Sequence, residues 1–233
     1  RGVRSQSVAQ KFRQDFLVEG RYLYLLQGLG NTLVITLFAI IISFFLGSLI
    51  AIVRTTHDRT GRYIVLNALC KFYLVIIRGT PTMVQLLIIY YVIFAAADVS
   101  KVLVAIVAFG INSSAYLAEV VRSGIMSIDR GQSEAGRSLG LSYSQTMRLI
   151  ILPQAFKNVL PAIGNELITL LKETSISGYI GLVDLTKGSD IIRSITYDAM
   201  LPLGVVALIY LAIVLSLSSA VGTLEKKLRK NER

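Results

Sequence analysis

The sequence predicts an all-α, polytopic membrane protein with five transmembrane helices. Of its 233 residues, 54% are apolar, and the mean hydropathy of +0.64 is too high for a soluble domain of this length. Its 24 lysines and arginines, against 14 acidic residues, cluster between the apolar runs. Such clustering is typical of membrane topology. The positive charge therefore does not indicate nucleic-acid binding.

The chain is predicted to begin with an amphipathic segment, residues 1–24, that lies on the membrane surface. The first span follows at 30–53, a run without charge that is long enough to cross a bilayer. Within it, Gly47 is a candidate point of close helix packing. Because Pro is favoured in the first turn of a helix, the second span is predicted from Pro81 to Ala97.

Residues 63–78 are then a basic amphipathic helix at the membrane interface, and one long helix kinked at Pro81 is the alternative. The third span is predicted at 102–121. The fourth, 155–178, carries amide and charged side chains, which are tolerated at bilayer depth only when they face protein or a water-filled cavity. We therefore expect it to line a pathway.

The last span is predicted at 200–224, so that residues 25–225 form the membrane domain and 226–233 a solvated basic tail. Residues 179–199 are interpreted as polar and Gly-containing turns. Three segments, 54–78, 122–157 and the tail, carry an excess of basic residues and are placed in the cytoplasm. This puts the N-terminus outside and the C-terminus inside. The basic start of the chain conflicts with this assignment but is outweighed by the three concordant segments.

The loop 122–154 contains a segment with an unusual pattern of small residues. Ala135, Gly136 and Gly140 would leave one side of a short helix nearly bare, so that another protein could approach its backbone closely. Glu134 and Arg137, three residues apart, would form a charged rim. We expect Pro153 to make the chain turn before the next span. An ordinary cytoplasmic loop is the alternative interpretation of this segment.

The spacing of Glu134, Ala135, Gly136, Gly140, Ile150, Leu152 and Pro153 resembles the E-A-A-x3-G-x9-I-x-L-P signature of permease subunits in ATP-binding cassette (ABC) importers. Gly136 stands where that signature has its second Ala. Further blocks at 78–81, 112–119, 122–125 and 172–175 are similar to the permeases of histidine, glutamine and arginine importers. These blocks and the signature follow one another in the same order as in those permeases, and the resemblance extends from about Gly28 to Glu225.

This resemblance implies the type I ABC importer permease fold in a bacterial inner membrane. It implies a second permease subunit, identical or homologous, that completes a central pathway for an amino acid. It also implies two ATPase subunits at the cytoplasmic face and an extracytoplasmic binding protein, or a binding domain fused ahead of the first span. ATP and Mg would be held by the partner subunits, and no cofactor by this chain.

Candidate pathway residues follow from helical spacing. Asn112, Tyr116 and Glu119 fall on one face of the third span, whereas Asn165 and Glu166 diverge by about 100°. An amino acid zwitterion needs acceptors for its ammonium group and donors for its carboxylate. Glu166 and Asn165 suit the first, and Asn165, a broken-helix N–H or Thr174 the second. The alternative is that Asn165 and Glu166 only bond neighbouring helices. The predicted substrate-binding residues are Asn112, Tyr116, Asn165, Glu166 and Thr174.

Other charged residues are candidates for gates or helix pairing. Glu119 and Arg122 are expected to form a local ion pair, with a gate or docking role as the alternative. Arg78 is expected to contact lipid head groups or an acid on the next helix. Lys172 is either a gate contact or a snorkelling residue. The gate or pairing set is Arg78, Gln85, Glu119, Arg122 and Lys172; the ATPase-coupling set is Glu134, Ala135, Gly136, Arg137 and Gly140.

Catalysis and metal binding find no support in the sequence. The single His57 lies in a basic segment, Cys70 has no partner His, and no phosphate-binding loop is present. A membrane-embedded hydrolase would need a nucleophile and a base, which we do not find. An ion-driven carrier, the other rival, commonly shows repeated halves, and the sequence has no convincing internal repeat.

Overall fold

The computed structural model describes residues 7–230, and within them it consists of helices joined by short turns and contains no β-strand. A short helix, a π-helical turn and a 3-10 turn lead into the first long helix. The helices are α1 (Val8–Phe12), α2 (Tyr22–Thr60), α3 (Ile64–Gly79), α4 (Thr82–Ile88, continued by a π-helical turn Ile89–Ile93), α5 (Lys101–Met126), α6 (Arg130–Ser138), α7 (Tyr143–Thr146), α8 (Leu152–Glu173), α9 (Leu185–Thr196) and α10 (Met200–Lys230).

Within residues 7–230, three helices, α2, α5 and α10, are long and apolar enough to cross a membrane. The bent pair of α3 and α4 would make a fourth span if it counts as one. The predicted fourth span corresponds to α8, a 22-residue helix interrupted by polar side chains. The count of five spans stays a prediction.

The helical run is interrupted at Pro81, where the sequence suggested the start of a span or a kink. Thr80 and Pro81 are both extended. For Thr80 the reason is that proline disfavours the helical conformation in the residue before it. The axes of α3 and α4 differ by 107° across this break. The side chain of Gln85 stabilises the bend by donating to the backbone oxygen of Ile77 at 2.7 Å. The alternative prediction of one long kinked helix is therefore wrong, and a new helix begins after Pro81 as predicted.

The expected turn at Pro153 is also wrong. A continuous helical run leads from α7 through a π-helical turn, Met147–Ile151, into α8. Pro153 lies in the first turn of α8, directly after the π-helical turn, and its missing N–H does not end the helical run. The turn lies earlier, between α6 and α7.

The segment 179–199, interpreted as turns from the sequence, contains the twelve-residue helix α9. The carboxylate of Asp184 caps this helix by accepting from the backbone N–H groups of Thr186 and Lys187. Burial raises the pKa of Asp184, and these N–H bonds act in the opposite direction. The helix then packs across the first turns of α2.

The described part of the N-terminal segment packs on the protein as well as being amphipathic. Phe16 is buried with Leu25 of α2, Ile192 of α9 and Val206 of α10. Lys11 forms an ion pair with Asp198 at 3.3 Å. Residues 1–6 of the predicted segment lie outside the described residues. At the other end, α10 continues through the predicted tail to Lys230, and 231–233 lie outside the description.

The centre of the molecule is the contact between α2 and α5. Ile35 and Ala39 of α2 are fully buried in one apolar cluster with Ala105 and Phe109 of α5. A Cβ atom at Gly47 would lie 2.9 Å from the backbone of α5. The predicted close-packing role of Gly47 is confirmed.

Candidate functional site

A polar contact joins α5 to α8 in the middle of both helices. The hydroxyl of Ser113, which is buried, donates to the carboxylate of Glu166 at 2.6 Å. Glu166 is partly buried and its neighbour Asn165 is exposed. The two side chains therefore diverge, as their spacing predicts. The Glu166 carboxylate keeps acceptor capacity beyond this bond, because a carboxylate accepts at both oxygens.

A second contact joins α5 to α4. Asn112 is buried and donates from its amide nitrogen to the side-chain oxygen of Gln85 at 2.9 Å. The amide oxygen of Asn112 is buried, with no hydrogen-bond partner in the described part of the chain. Gln85 thus stabilises both the α3–α4 bend and its packing on α5.

One predicted substrate-binding residue, Thr174, is not available to a substrate. Thr174 is fully buried, and its hydroxyl donates to the backbone oxygen of Leu171 at 2.7 Å. From the sequence, this hydroxyl was expected to meet a substrate carboxylate. In the folded chain it closes the end of α8 instead, where the helix tightens into the 3-10 turn Thr174–Ile180. Lys172, two residues earlier, is exposed.

The bend between α3 and α4 covers the face of α5 that carries Asn112, Tyr116 and Glu119. The guanidinium of Arg78 lies 5.6 Å from the centre of the Tyr116 ring. The same group is 3.9 Å from the carboxylate of Glu119. Arg78 therefore contacts an acid on the next long helix, one of the two roles expected for it.

The predicted local pair between Glu119 and Arg122 is wrong. Glu119 accepts from Arg54 at 2.5 Å, and Arg122 donates to Asp58 at 2.7 Å. Both partners belong to α2, which continues seven residues beyond the predicted end of the span at 53. Sequence reasoning missed Arg54 and Asp58 as site residues. Their signal was the spacing of opposite charges, four residues apart on α2 and three apart on α5.

The segment predicted as a cytoplasmic loop forms a compact hairpin made of α6, the turn at Gly140 and α7, which we call the coupling hairpin. Asp129 caps α6 by accepting from the backbone N–H of Gly131 at 2.7 Å. Gly140 ends the helix in the left-handed region, with φ of 79°. Its N–H donates to Arg137, and the next N–H, of Leu141, donates to Gly136. This is the Schellman arrangement that favours glycine.

The small residues of the coupling hairpin serve two different purposes. A Cβ atom at Gly136 would lie 2.7 Å from Thr146, so Gly136 allows α6 to pack on α7 and is buried. The expectation that Gly136 offers a bare face to another protein is therefore wrong. The outward face is formed by Glu134, Ala135 and Arg137, which are exposed, and by Leu139, which is 78% exposed.

Comparison with known proteins identifies the family. Residues 43–230 match the model of the binding-protein-dependent transport system inner membrane component. The chain belongs to this family. As a member it is a multi-pass membrane permease, a transport component rather than an enzyme, and such permeases work with ATPase and binding-protein partners.

The similarity of this permease to its relatives extends over nearly the whole chain. It is 38% identical to the arginine transport system permease protein ArtQ of Bacillus subtilis, over 90% of this chain and 94% of that protein. It is 35% identical to the putative glutamine transport system permease protein GlnP of Rickettsia typhi, over 91% and 95%. The type I ABC importer permease fold assigned from the sequence is confirmed.

A solved structure of an amino acid ABC transporter with histidines has a TM-score of 0.80 and 39% identity, covering 91% of this chain and 98% of that one. A chain of the MetNI methionine ABC transporter in an inward-facing conformation has a TM-score of 0.74 at 21% identity, covering 88% and 95%. The second likeness concerns the fold alone. Within residues 7–230, no group of three or more His, Cys, Asp or Glu side chains could hold a metal ion.

Proposed function

We propose that this permease carries an amino acid through an ATP-driven importer. One observation supports this above all: the relatives that match nine tenths of the chain are named for arginine and for glutamine transport. The bonding of α8 to α5 through Glu166 supports it chemically, since it sets an acceptor within the spanning helices. An ion-driven carrier would need none of the coupling hairpin.

The proposed pathway runs along α5 and α8. Glu166 accepts from the substrate ammonium group or from a basic side chain, and the exposed amide of Asn165 meets the carboxylate. Tyr116, partly covered by Arg78, adds an aromatic wall. Asn112 acts indirectly by holding the α4 segment through Gln85. Thr174 has no part in this proposal because it is buried.

The proposed assembly has two ATPase subunits and a second permease, identical or homologous, around the pathway. An extracytoplasmic binding protein, or a fused binding domain, delivers the amino acid. The coupling hairpin docks on the ATPase through Glu134, Ala135 and Arg137, while Gly136 and Gly140 shape it. ATP and Mg stay on the ATPase, and this chain binds no cofactor. The N-terminus lies outside a bacterial inner membrane and the C-terminus in the cytoplasm.

The test is uptake by the purified complex in proteoliposomes that contain ATP, with the twenty labelled amino acids offered singly with the binding protein. We expect ATP-dependent uptake of one or a few polar amino acids. Glu166→Gln should lower uptake about tenfold, the effect of losing one charge-assisted hydrogen bond. Asp98→Asn, which removes an exposed carboxylate outside the proposed pathway and the coupling hairpin, is the control and should keep the wild-type uptake. No ATP-dependent uptake of any amino acid would contradict the proposal.

The same assay tells which group Glu166 meets. If it binds the α-ammonium, the loss in Glu166→Gln is similar for every transported amino acid. If it binds a basic side chain, arginine uptake falls and glutamine uptake is retained.

A further inference from the structure

We propose that Arg59 couples the ATPase-docking hairpin to α2, so that the cytoplasmic end of α2 forms a second transmission arm beside α5 and α8. This inference rests on the proposed function, because it describes how work from an ATPase would enter the membrane domain. Four features of the described residues lead to it: the length of α2, its bonds to α5, its bond to α6, and the cavity between them.

The length of α2 makes it a continuous rod. It contains 39 residues without a proline, which at 1.5 Å per residue is about 58 Å. The hydrocarbon core of a bilayer is about 30 Å thick. The helix must therefore extend well outside the membrane, and its last turns carry Arg54, Asp58 and Arg59. It ends at Gly61, which takes the left-handed conformation with φ of 69°.

The extension of α2 is bound firmly to the end of α5. Arg54 of α2 forms an ion pair with Glu119 of α5, and Asp58 of α2 forms one with Arg122 of α5. Two ion pairs therefore join the ends of the two helices. Arg54 is only 15% exposed, which strengthens its pairing because less water screens it. Beneath these pairs, Ala51 is fully buried in the apolar cluster that includes residues of α5 and of the π-helical turn before α8. The end of α2 and the end of α5 therefore form one body.

The contact between α2 and the coupling hairpin is of a different kind. A cavity of about 580 Å³ separates them, with Asp58, Arg59 and Thr60 on one wall and Glu134 and Arg137 on the other. Across its edge, the guanidinium of Arg59 donates to the hydroxyl of Ser133 at 3.1 Å. Ser133 precedes Glu134, the first residue of the predicted coupling set. A displacement of α6 therefore reaches α2 through Arg59 without passing along the loop that joins α5 to α6.

The first experiment measures coupling in the reconstituted complex of permease, ATPase and binding protein. For wild type, Arg59→Ala and Arg59→Lys, we would measure amino acid taken up per ATP hydrolysed. We expect the ratio to fall about fivefold in Arg59→Ala, the lower end of typical coupling energies, and to recover in part in Arg59→Lys. Arg62→Ala, which removes an exposed arginine three residues further on, should keep the wild-type ratio.

An unchanged ratio in Arg59→Ala would overturn the inference and leave the proposed function standing. A wild-type complex without amino-acid-stimulated ATP hydrolysis would contradict the proposed function itself. A merely structural role for Arg59 would lower uptake and hydrolysis together, with no change in their ratio, and that result also overturns the inference.

The second experiment replaces the hydrogen bond by a covalent one. Arg59→Cys and Ser133→Cys would be combined in a Cys70→Ser background, which removes the native thiol, and joined by a short bismaleimide. If α2 and α6 move together, the tethered complex should regain the ratio that the untethered pair has lost. Loss of transport on tethering would show that the two helices separate during the cycle, and would overturn the inference.

Discussion

The two ends of α2 are held by opposite means. We call the N-terminal end of α2 the outer end and its C-terminal end the inner end, after the proposed orientation. At the outer end, the backbone of Gly28 lies against Asp184 and Leu185, and that of Tyr24 against Gly188 of α9. At the inner end, the long side chains of Arg54 and Arg59 reach neighbouring helices beside a cavity. Close backbone packing permits little movement, because every displacement produces a clash.

Neutral hydrogen bonds complete the outer end. The amide of Asn31 donates to the backbone oxygen of Val183 at 2.8 Å, and the N–H of Leu185 donates to the hydroxyl of Thr32. The inner end uses charge, which tolerates water and changes of distance better than packed backbone does. The difference indicates an outer end that is fixed within the subunit and an inner end that can respond to a docked protein.

The largest predicted effect breaks the outer end. In Gly28→Ala the new Cβ would meet the Asp184 carbonyl carbon at 2.6 Å and the Leu185 nitrogen at 2.8 Å. We expect a loss of about 3 kcal/mol in stability, because backbone on both sides cannot yield. Gly30→Ala is the matched control, since its Cβ would meet nothing within 4 Å, and it should stabilise α2 by up to about 1 kcal/mol. Thermal denaturation in lipid nanodiscs measures both. Equal midpoints for the two variants would contradict the close packing of α9 on α2.

The next effect tests the charges at the inner end. Glu119→Gln removes the carboxylate that Arg54 and Arg78 share, and should lower the stability by about 2 kcal/mol. Glu134→Gln, an exposed acid of the coupling hairpin, should change stability by less than about 0.5 kcal/mol. The same denaturation experiment compares them. If Glu119→Gln were as stable as wild type, the inner end would not depend on these pairs.

A smaller effect concerns the shape of the coupling hairpin. Gly140→Ala should cost about 1 kcal/mol through the left-handed backbone alone, since its Cβ would meet nothing within 4 Å. Gly140→Asn should cost less, because Asn tolerates this conformation. Co-purification of the ATPase with the permease is the measurement. Retention of less ATPase by the Asn variant than by the Ala variant would mean that this glycine acts by close approach and not by its backbone angle.

The smallest effect lies on the surface of the outer end. The pKa of Asp190 is held below its ordinary value of 3.8 by hydrogen bonds from Arg193 and Lys187. Such a carboxylate stabilises the fold above pH 3.8, and the contribution is lost as the pH falls through the lowered pKa. Asp190→Asn should therefore cost about 0.5 kcal/mol at neutral pH, and less below pH 3.8. Denaturation midpoints of wild type and Asp190→Asn at neutral pH and below pH 3.8 measure this loss of stability. A neutral-pH loss as large as that of Gly28→Ala would mean that surface charge, and not backbone packing, holds the outer end.

The comparison also shows which features the sequence could predict. The close packing at Gly47 and the position of the coupling loop could be predicted from the sequence, because a small residue in an apolar run and a break in hydropathy are local signals. The fold class followed from the same runs. Gly140 was expected to leave one helix face bare, whereas the structure shows it in the left-handed backbone conformation that ends α6.

Two errors concern where helices end: one assumed that a helix ends with its apolar run, and the other that it ends at a proline. Ending the first span at 53 hid Arg54 and Asp58 as partners of α5, although α2 remains helical to Thr60. Ending a helix at Pro153 hid the π-helical turn that joins α7 to α8. The burial of Thr174 depends on the contacts of the 3-10 turn Thr174–Ile180 with α2, α4, α5, α8 and α9, which no single segment encodes.

The most direct test of the contrast between the two ends is amide hydrogen exchange of the isolated permease and of its complex with the ATPase subunits. Peptides covering 24–32 and 183–189 should exchange slowly and equally in both samples. Peptides covering 54–60 and 130–141 should exchange faster in the isolated permease and become protected on ATPase binding. Protection confined to the outer peptides, or no change at the inner ones, would contradict an inner end that receives the ATPase and an outer end that is fixed within the subunit.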